Sequence, residues 1–333
     1  MSPGRPFAAA KADQAGSVGE AALLARIREW TARVSPPPPE GMGDDCAAYR
    51  SARPDAEQLA TADPLLYGRH FDDAVTPRDA GRKLVNRNAS DIAAMGGQPE
   101  RAAVCLALAP ETSLSWLEAF HGGLAEALAS LDATLAGGDV TEAPAGFFGA
   151  FLTLLGAMPA GCRPMRRGTA RVGSPLYVTG ELGGSLLGWH CSFRPLVAEG
   201  QWLAARPEVL ACQDVSDGLA KDLPTLAGEA LAAAIDARAV PVSPAAERAA
   251  VASGRPALAH ALGDGEDYQL VFALAPEADG AAFERNWAQA FPELRLSRIG
   301  DCRPRDAADG RGVRLLNAPA SIDPAGYEHL RKA

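Results

Sequence analysis

Residues 210–223 read Leu-Ala-Cys-Gln-Asp-Val-Ser-Asp-Gly-Leu-Ala-Lys-Asp-Leu. The run from Leu210 to Val215 has the character of a buried strand, and Ser216-Asp217-Gly218 turns it into a helix. The Ala-rich stretch from Leu223 to Ala234 is expected to continue that helix. An acid therefore sits where a strand stops and a Gly-containing turn begins.

The same pattern recurs outward in both directions. Asp132 to Ala136 reads as a strand leading into Gly137-Gly138-Asp139, and Gln58 to Ala62 as a short strand ending near Asp63. Gly265-Glu266-Asp267 precedes a strand at Tyr268 to Leu274, and Leu176 to Thr179 is a strand before Gly180, Gly183 and Gly184. Val104 to Leu108 and part of Phe147 to Leu155 complete the strands. Helices are expected over Glu20 to Val34, from Thr76-Pro77 to Met95, over Ser115 to Leu131 and over Ala281 to Ala290. Ser115 and Glu118 have capping-box spacing. Alternating strands and helices define a mixed α and β class.

The chain has 333 residues, 47% hydrophobic and 22% charged. Two domains are expected, residues 19–160 and 161–333, behind a flexible extension at 1–18. The net charge of −9, with no long Lys/Arg run, argues against nucleic acid as a partner. No apolar run reaches the roughly 20 residues that span a bilayer, and the N-terminus lacks the apolar core of a signal peptide. Six scattered cysteines without a C-x-x-C pair read as free thiols in a reducing cytoplasm.

Acids beside Gly or Ser carry the functional signal. They are Gly43-Asp44-Asp45, Asp63, Ser90-Asp91, Gly138-Asp139, Asp214 with Ser216-Asp217-Gly218, and Gly265-Glu266-Asp267. Each alone is ordinary turn chemistry. Six in one chain point to carboxylates gathered around cations, and Mg²⁺ takes hard oxygen ligands and bridges phosphates. No P-loop, dinucleotide fingerprint or protein-kinase set is present. ATP phosphates would then rest on metals, backbone amides and a few basic residues, Arg166 and Arg167 among them.

In order, these segments resemble the thiamine-monophosphate kinase family, whose superfamily includes aminoimidazole ribonucleotide synthetase. The matching stretches are GMGDDCA at 41–47, TADPLLYGRHF at 61–71, NASDIAAMGGQP at 88–99 and LAGGDVT at 135–141. They continue with RRGTARVGSPLYVTGELGGS at 166–185, DVSDGLAKDL at 214–223, GDGEDYQL at 263–270 and GYEHL at 326–330.

The resemblance implies an α/β (α+β) fold of the aminoimidazole ribonucleotide synthetase kind. Its N-terminal sheet-plus-helix domain would pair in a homodimer, and its C-terminal sheet would be flanked by helices. It implies transfer of the ATP γ-phosphate to thiamine monophosphate. Asp45, Asp63, Asp91, Asp139 and Asp214 would be catalytic and would hold magnesium, with Asp217, Thr61 and Ala62 as further metal contacts. Gly138, Asp139, Arg167 and Ser216 would contact ATP, and His70, Glu266 and Tyr327 the thiamine substrate.

Departures from the family pattern include Gln269, a shortened segment after Arg194-Pro195, and three further positions. Ala62 stands in a Ser-Thr-Asp position, Asp264 interrupts the Gly-Gly-Glu-Asp-Tyr segment, and Ser174 replaces an Asp. They keep open another enzyme of the superfamily or a nucleotide binder without turnover. Ala62 is compatible with activity if that position meets metal through its backbone carbonyl.

Overall fold

In the computed structural model the residues described are 4–38, 40–42, 46–306, 309–319 and 322. Asp45 and Tyr327 lie outside them. The chain divides into two compact units, Met1–Ile92 with Gly97–Ala160, and Ala93–Gly96 with Gly161–Ala333.

The first unit contains α1 (Glu20–Trp30), β1 (Gln58–Leu66), α2 (Pro77–Ala94), β2 (Gln98–Leu108), α3 (Leu114–Ser130), β3 (Thr134–Glu142) and β4 (Phe148–Ala157). The strands form one sheet in the order β1-β4-β2-β3. β4 is antiparallel to both neighbours, whereas β2 and β3 are parallel and joined through α3. The sheet buries one face. Ala102, Val104, Leu106 and Leu108 of β2 point into the core, while Cys105 between them is exposed. β4 repeats the rule, with Leu152 and Leu154 buried and Phe151 exposed. The covered face packs against α1, α2 and α3 around Phe71, Trp116, Phe120 and Phe148. Pro64 is tolerated in β1 because this is an edge strand.

Residues 4–18 are not a free extension. Ala8 and Ala15 donate backbone hydrogen bonds to Glu111 and Thr112, and the Trp116 indole donates to the Gly4 carbonyl. Asp13 accepts from the Ser115 amide at 2.9 Å. The N-cap of α3 is Ser113, whose Oγ accepts from the Trp116 amide at 3.1 Å. The expected Ser115–Glu118 box therefore sits two residues too late.

The second unit contains β5 (Pro175–Thr179), α4 (Trp189–Ser192), α5 (Val197–Ala204), β6 (Val209–Asp214), α6 (Leu219–Ala227) and β7 (Leu231–Asp236). It continues with α7 (Pro244–Ser253), α8 (Ala257–Gly263), β8 (Leu270–Leu274), α9 (Gly280–Ala290), β9 (Leu296–Pro304) and β10 (Val313–Leu316). Its sheet runs β10-β7-β9-β5-β8-β6, antiparallel except for β10 beside β7. Every residue of β5 and β8 is buried. Leu176, Val178, Val271 and Ala273 face one core, and Tyr177, Leu270, Phe272 and Leu274 face the other. Both faces are covered.

The expected Ala-rich helix ends early. Gly228, at φ 92°, caps α6, and Leu231–Asp236 becomes a strand of the sheet. Small apolar residues fit both a helix and a strand covered on two sides. Pairing with β9 and β10 decides between them.

Candidate active site

In the first unit, β1 and α2 bring several expected ligands together. Thr61 and Asp63 project from the covered face of β1. The Thr61 hydroxyl donates to Asp91 Oδ2 at 2.5 Å. The Asp63 amide donates to Asn88 Oδ1 at 2.9 Å, and Asp63 Oδ2 accepts from Arg87 Nε at 3.2 Å. Arg87 also donates to the Pro64 carbonyl at 2.6 Å. Asn88 is fully buried, and its amide is held by the Leu84 carbonyl. Ala62 pairs with Thr153 on the opposite face, so its side chain cannot join Thr61 and Asp63. Only its backbone is positioned by the same strand.

Asp139 stands apart from this group. It lies on β3, at the other edge of the sheet from β1. Register carries it across Cys105 and Phe151 to Pro64, so it belongs to the open face. It is exposed, and its Oδ1 accepts from the Val140 amide. Gly138 approaches β2 so closely that a Cβ there would lie 1.9 Å from the Val104 carbonyl oxygen. A recess of about 420 Å³ opens beside Gly137 and Gly138, lined also by Tyr49, Arg101, Thr153 and Leu155. The Arg101 guanidinium covers the Tyr49 ring at 4.2 Å from its centroid.

His70 is half-buried after β1. Its Nδ1 accepts from the Leu66 amide at 3.0 Å. Its carbonyl accepts from Lys83 Nζ at 2.8 Å.

In the second unit, three loops meet at one end of the sheet, because β8 is antiparallel to β5 and β6. Asp214 ends β6 and is buried. The Ser216 and Asp217 amides both donate to Asp222 Oδ2 at 3.1 Å. Asp217 pairs with Lys221 at 2.6 Å. Gly218 starts α6 at φ 104°, and a Cβ there would lie 2.9 Å from Gly263 Cα. Glu266 and Tyr268 donate backbone hydrogen bonds to Ser216 and Val215. Both adopt left-handed φ, 53° and 51°, a strain of about 1–2 kcal/mol per residue. Tyr268 stacks on Phe193 at 4.0 Å.

Asp267 binds this loop to the next. Its Oδ1 accepts from the Gly183 amide at 2.8 Å, its carbonyl accepts from the Trp189 indole, and its Oδ2 is buried without a partner. Burial, with Asp264, Asp222 and Glu266 nearby, pushes its carboxyl well above the usual range. Burial first, then the Asp217 carboxylate, pushes Asp222 up to about 7 against the opposing amides and Lys221. Asp264 accepts from the Gly184 amide and from His260 Nδ1, while His260 Nε2 meets Ser253 Oγ. That departure from the family pattern is thus a built tie between α8 and the 180–185 turn. Ser174 also has a use, accepting from the Arg171 amide at 3.0 Å. Arg167 is exposed on an irregular segment held by the Gly168–Leu226 backbone bond.

Among the described residues no group of three or more His, Cys, Asp or Glu side chains stands close enough to hold a metal ion. Among the described residues the carboxylates fall in smaller sets. Mg²⁺ accepts such donor sets, since it commonly keeps waters and binds one or two carboxylates together with substrate phosphates. The sequence reading missed Lys83, Arg87, Asn88 and Asp222, and it named Asp267 among the acids without a role of its own. A signal was present in α2, where Lys83, Arg87 and Asp91 repeat every four residues.

The fold is that of the AIR synthase-related class. The family "AIR synthase related protein, N-terminal domain" matches residues 43–158. The chain is 36% identical over 288 residues to thiamine-monophosphate kinase of Rhodopirellula baltica, covering 84% of this chain and 89% of that protein. It is also similar to the crystal structure of thiamine-monophosphate kinase from Stenotrophomonas maltophilia K279a, with a TM-score of 0.72 and 32% identity over 88% of this chain and 95% of that one. AaThiL complexed with AMPPCP and TMP aligns with a TM-score of 0.69 and 25% identity over 94% and 97% of the two chains. The chain belongs to the thiamine-monophosphate kinase family. No helix among the described residues is long and apolar enough to cross a membrane.

Proposed function

We infer that this chain transfers the γ-phosphate of ATP to thiamine monophosphate, giving thiamine diphosphate and ADP as the last step of thiamine diphosphate biosynthesis. The observation that carries this reading is the 36% identity to a thiamine-monophosphate kinase across 89% of that protein. AaThiL, complexed with AMPPCP and TMP, supports both substrates.

The chemistry asks little of a general base. The acceptor is a phosphate monoester, largely dianionic at neutral pH because its second pKa is about 6. The difficulty is charge repulsion between two polyanions. Magnesium, when bound, neutralises that repulsion and the charge on the transferred group. Asp45, Thr61, the Ala62 carbonyl, Asp63, Asp91, Asp139, Asp214 and Asp217 would hold it. Thr61 and Asp91 are pre-set by their mutual hydrogen bond, and Arg87 and Asn88 hold Asp63 in place. Gly138 and Asp139, with Arg167 and Ser216, bind ATP, and the recess beside Gly138 offers room for part of the nucleotide. His70, Glu266 and Tyr327 bind thiamine monophosphate. An aromatic ring such as Tyr327 suits the thiazolium cation.

The enzyme works as a homodimer in the cytoplasm. Support for pairing comes from the open face of the first sheet, where Phe151 remains 44% exposed in the single chain. Six free cysteines suit a reducing compartment. The deciding experiment follows thiamine diphosphate and ADP together from thiamine monophosphate, ATP and Mg²⁺. Equal, magnesium-dependent appearance of both is expected. ATP binding with no thiamine diphosphate would overturn the reading.

A further inference from the structure

Ser216 and Asp217 precede α6, whose N-cap is Gly218. One oxygen takes both of their amides: Asp222 Oδ2 accepts from Ser216 and from Asp217, each at 3.1 Å. Asp222 is only 7% exposed, and burying a carboxyl is costly unless its hydrogen bonds offset the loss. Ordinary helix capping does not account for it. In a capping box the third helical residue reaches back to the amide of the N-cap itself. Asp222 is the fourth residue of α6, and it reaches past the N-cap to the two residues before it. Its carboxyl therefore orders the turn rather than the helix end.

The carbonyls of the turn are engaged as well. That of Ser216 accepts from the Glu266 amide at 2.8 Å, and that of Val215 from the Tyr268 amide at 2.9 Å. The Gly218 carbonyl accepts from the amides of Lys221 at 2.9 Å and Asp222 at 3.0 Å. With its amide committed to Asp222, Ser216 has one donor left for a ligand, its hydroxyl. The residue is half-buried, so that hydroxyl is not sealed in the core.

We propose that Asp222 is a positioning residue for ATP: by holding the Ser216 and Asp217 amides it fixes the turn, so that Ser216 meets phosphate oxygens of the nucleotide through its hydroxyl instead of its backbone. This rests on the reading that Ser216 contacts ATP. Asp222, buried behind the turn, acts through it.

The test is calorimetric titration of the whole protein with ATP and Mg²⁺, with KM for thiamine monophosphate measured alongside. The variants are Asp222→Ala, Asp222→Asn, Ser216→Ala and the Ser216→Ala/Asp222→Ala double. Asp222→Ala is expected to weaken ATP binding about tenfold while KM for thiamine monophosphate stays within about twofold. Asp222→Asn still offers a carbonyl oxygen to both amides and should recover most of that loss. Ser216→Ala should weaken ATP binding about fivefold, and the double variant should lose less than the product of the two single effects. Wild-type ATP affinity in Asp222→Ala beside a weakened Ser216→Ala overturns the proposal. Wild-type affinity in Ser216→Ala beside a weakened Asp222→Ala overturns it too, because the hydroxyl is then not the contact. An equal rise in KM for thiamine monophosphate would make Asp222 a general support of the fold and also overturn it. Wild-type affinity in both single variants removes the reading that Ser216 contacts ATP, a distinct result. Should the Asp222 variants not fold, hydrogen exchange of the Ser216 and Asp217 amides in the wild-type protein decides. Protection that ATP and Mg²⁺ increase supports the proposal, since a hold that favours binding must be favoured by it. Exchange as fast as in an unfolded chain, or protection that ATP leaves unchanged, overturns it.

Discussion

The four-stranded sheet of the first unit buries one face, and the six-stranded sheet of the second buries both along β5 and β8. That difference decides where each unit can keep polar groups. In the first, Thr61 and Asp63 project from a strand and are held under a helix by Arg87, Asn88 and Asp91. In the second, the middles of β5 and β8 carry only buried apolar and aromatic side chains, so the polar groups of the site lie at the strand ends and in the turns beyond them. Asp222 and Asp267 then serve as acceptors for loop amides. A half-covered sheet organises its site along a strand; a fully covered sheet organises it at its end.

The sharpest way to break this comparison is at Asp139, the acid on the open face. Asp139→Asn is expected to lower kcat by about a thousandfold or more, with an unchanged circular dichroism spectrum because the residue is exposed. A near-wild-type rate would remove the open face from the site.

Core truncations come next. Phe120→Ala in the first unit and Phe272→Ala in the second each replace a fully buried ring and should cost about 3–5 kcal/mol in urea unfolding. If the units unfold separately, each change moves only its own transition. A single shared shift would show that they unfold together.

The buried titratable groups give the two units opposite pH signatures. His121 in α3 is buried, and burial lowers its pKa to about 4 although the Leu117 carbonyl opposes this. As pH falls, the unfolded chain protonates this histidine first. Its contribution is complete above about pH 6.5 and is lost towards pH 4, at most about 3 kcal/mol. His121→Gln should flatten that acid-side loss. Asp222 and Asp267 are raised instead, so the native state keeps their protons longer than the unfolded chain. Their contribution is complete below about pH 4 and fades as pH rises, through about 7 for Asp222. Melting curves of Asp267→Asn without added metal should show a weaker decline on that side. An identical pH profile in both variants would contradict the assignment.

Ala62→Thr should have the smallest effect. Residue 62 faces away from Thr61 and Asp63, so the added hydroxyl cannot join them. The apparent magnesium affinity should change less than about tenfold in a titration of activity. A larger gain would mean that the side chain, rather than the backbone carbonyl, meets the metal.

The sequence by itself determined the strand–turn–acid arrangement at Asp214 to Gly218, because that signal is local. Gly138 and Gly218 mark close backbone approaches, and β6 does stop at Asp214, but the strands expected to stop before Asp63 and Asp139 run on through them, β1 to Leu66 and β3 to Glu142. Tertiary structure alone decided that Leu231–Asp236 is a strand, since small apolar residues gain burial in either form and pairing with β9 and β10 tips the balance. It alone tied Asp13 to Ser115, 102 residues away, and so docked the expected extension. It also selected Lys83, Arg87, Asn88 and Asp222 from many similar polar residues. Their meaning lies in a partner across a fold: a helix facing a strand, or one loop beneath another. Burial there makes each such hydrogen bond costly to lose, and no local pattern records which partner it meets.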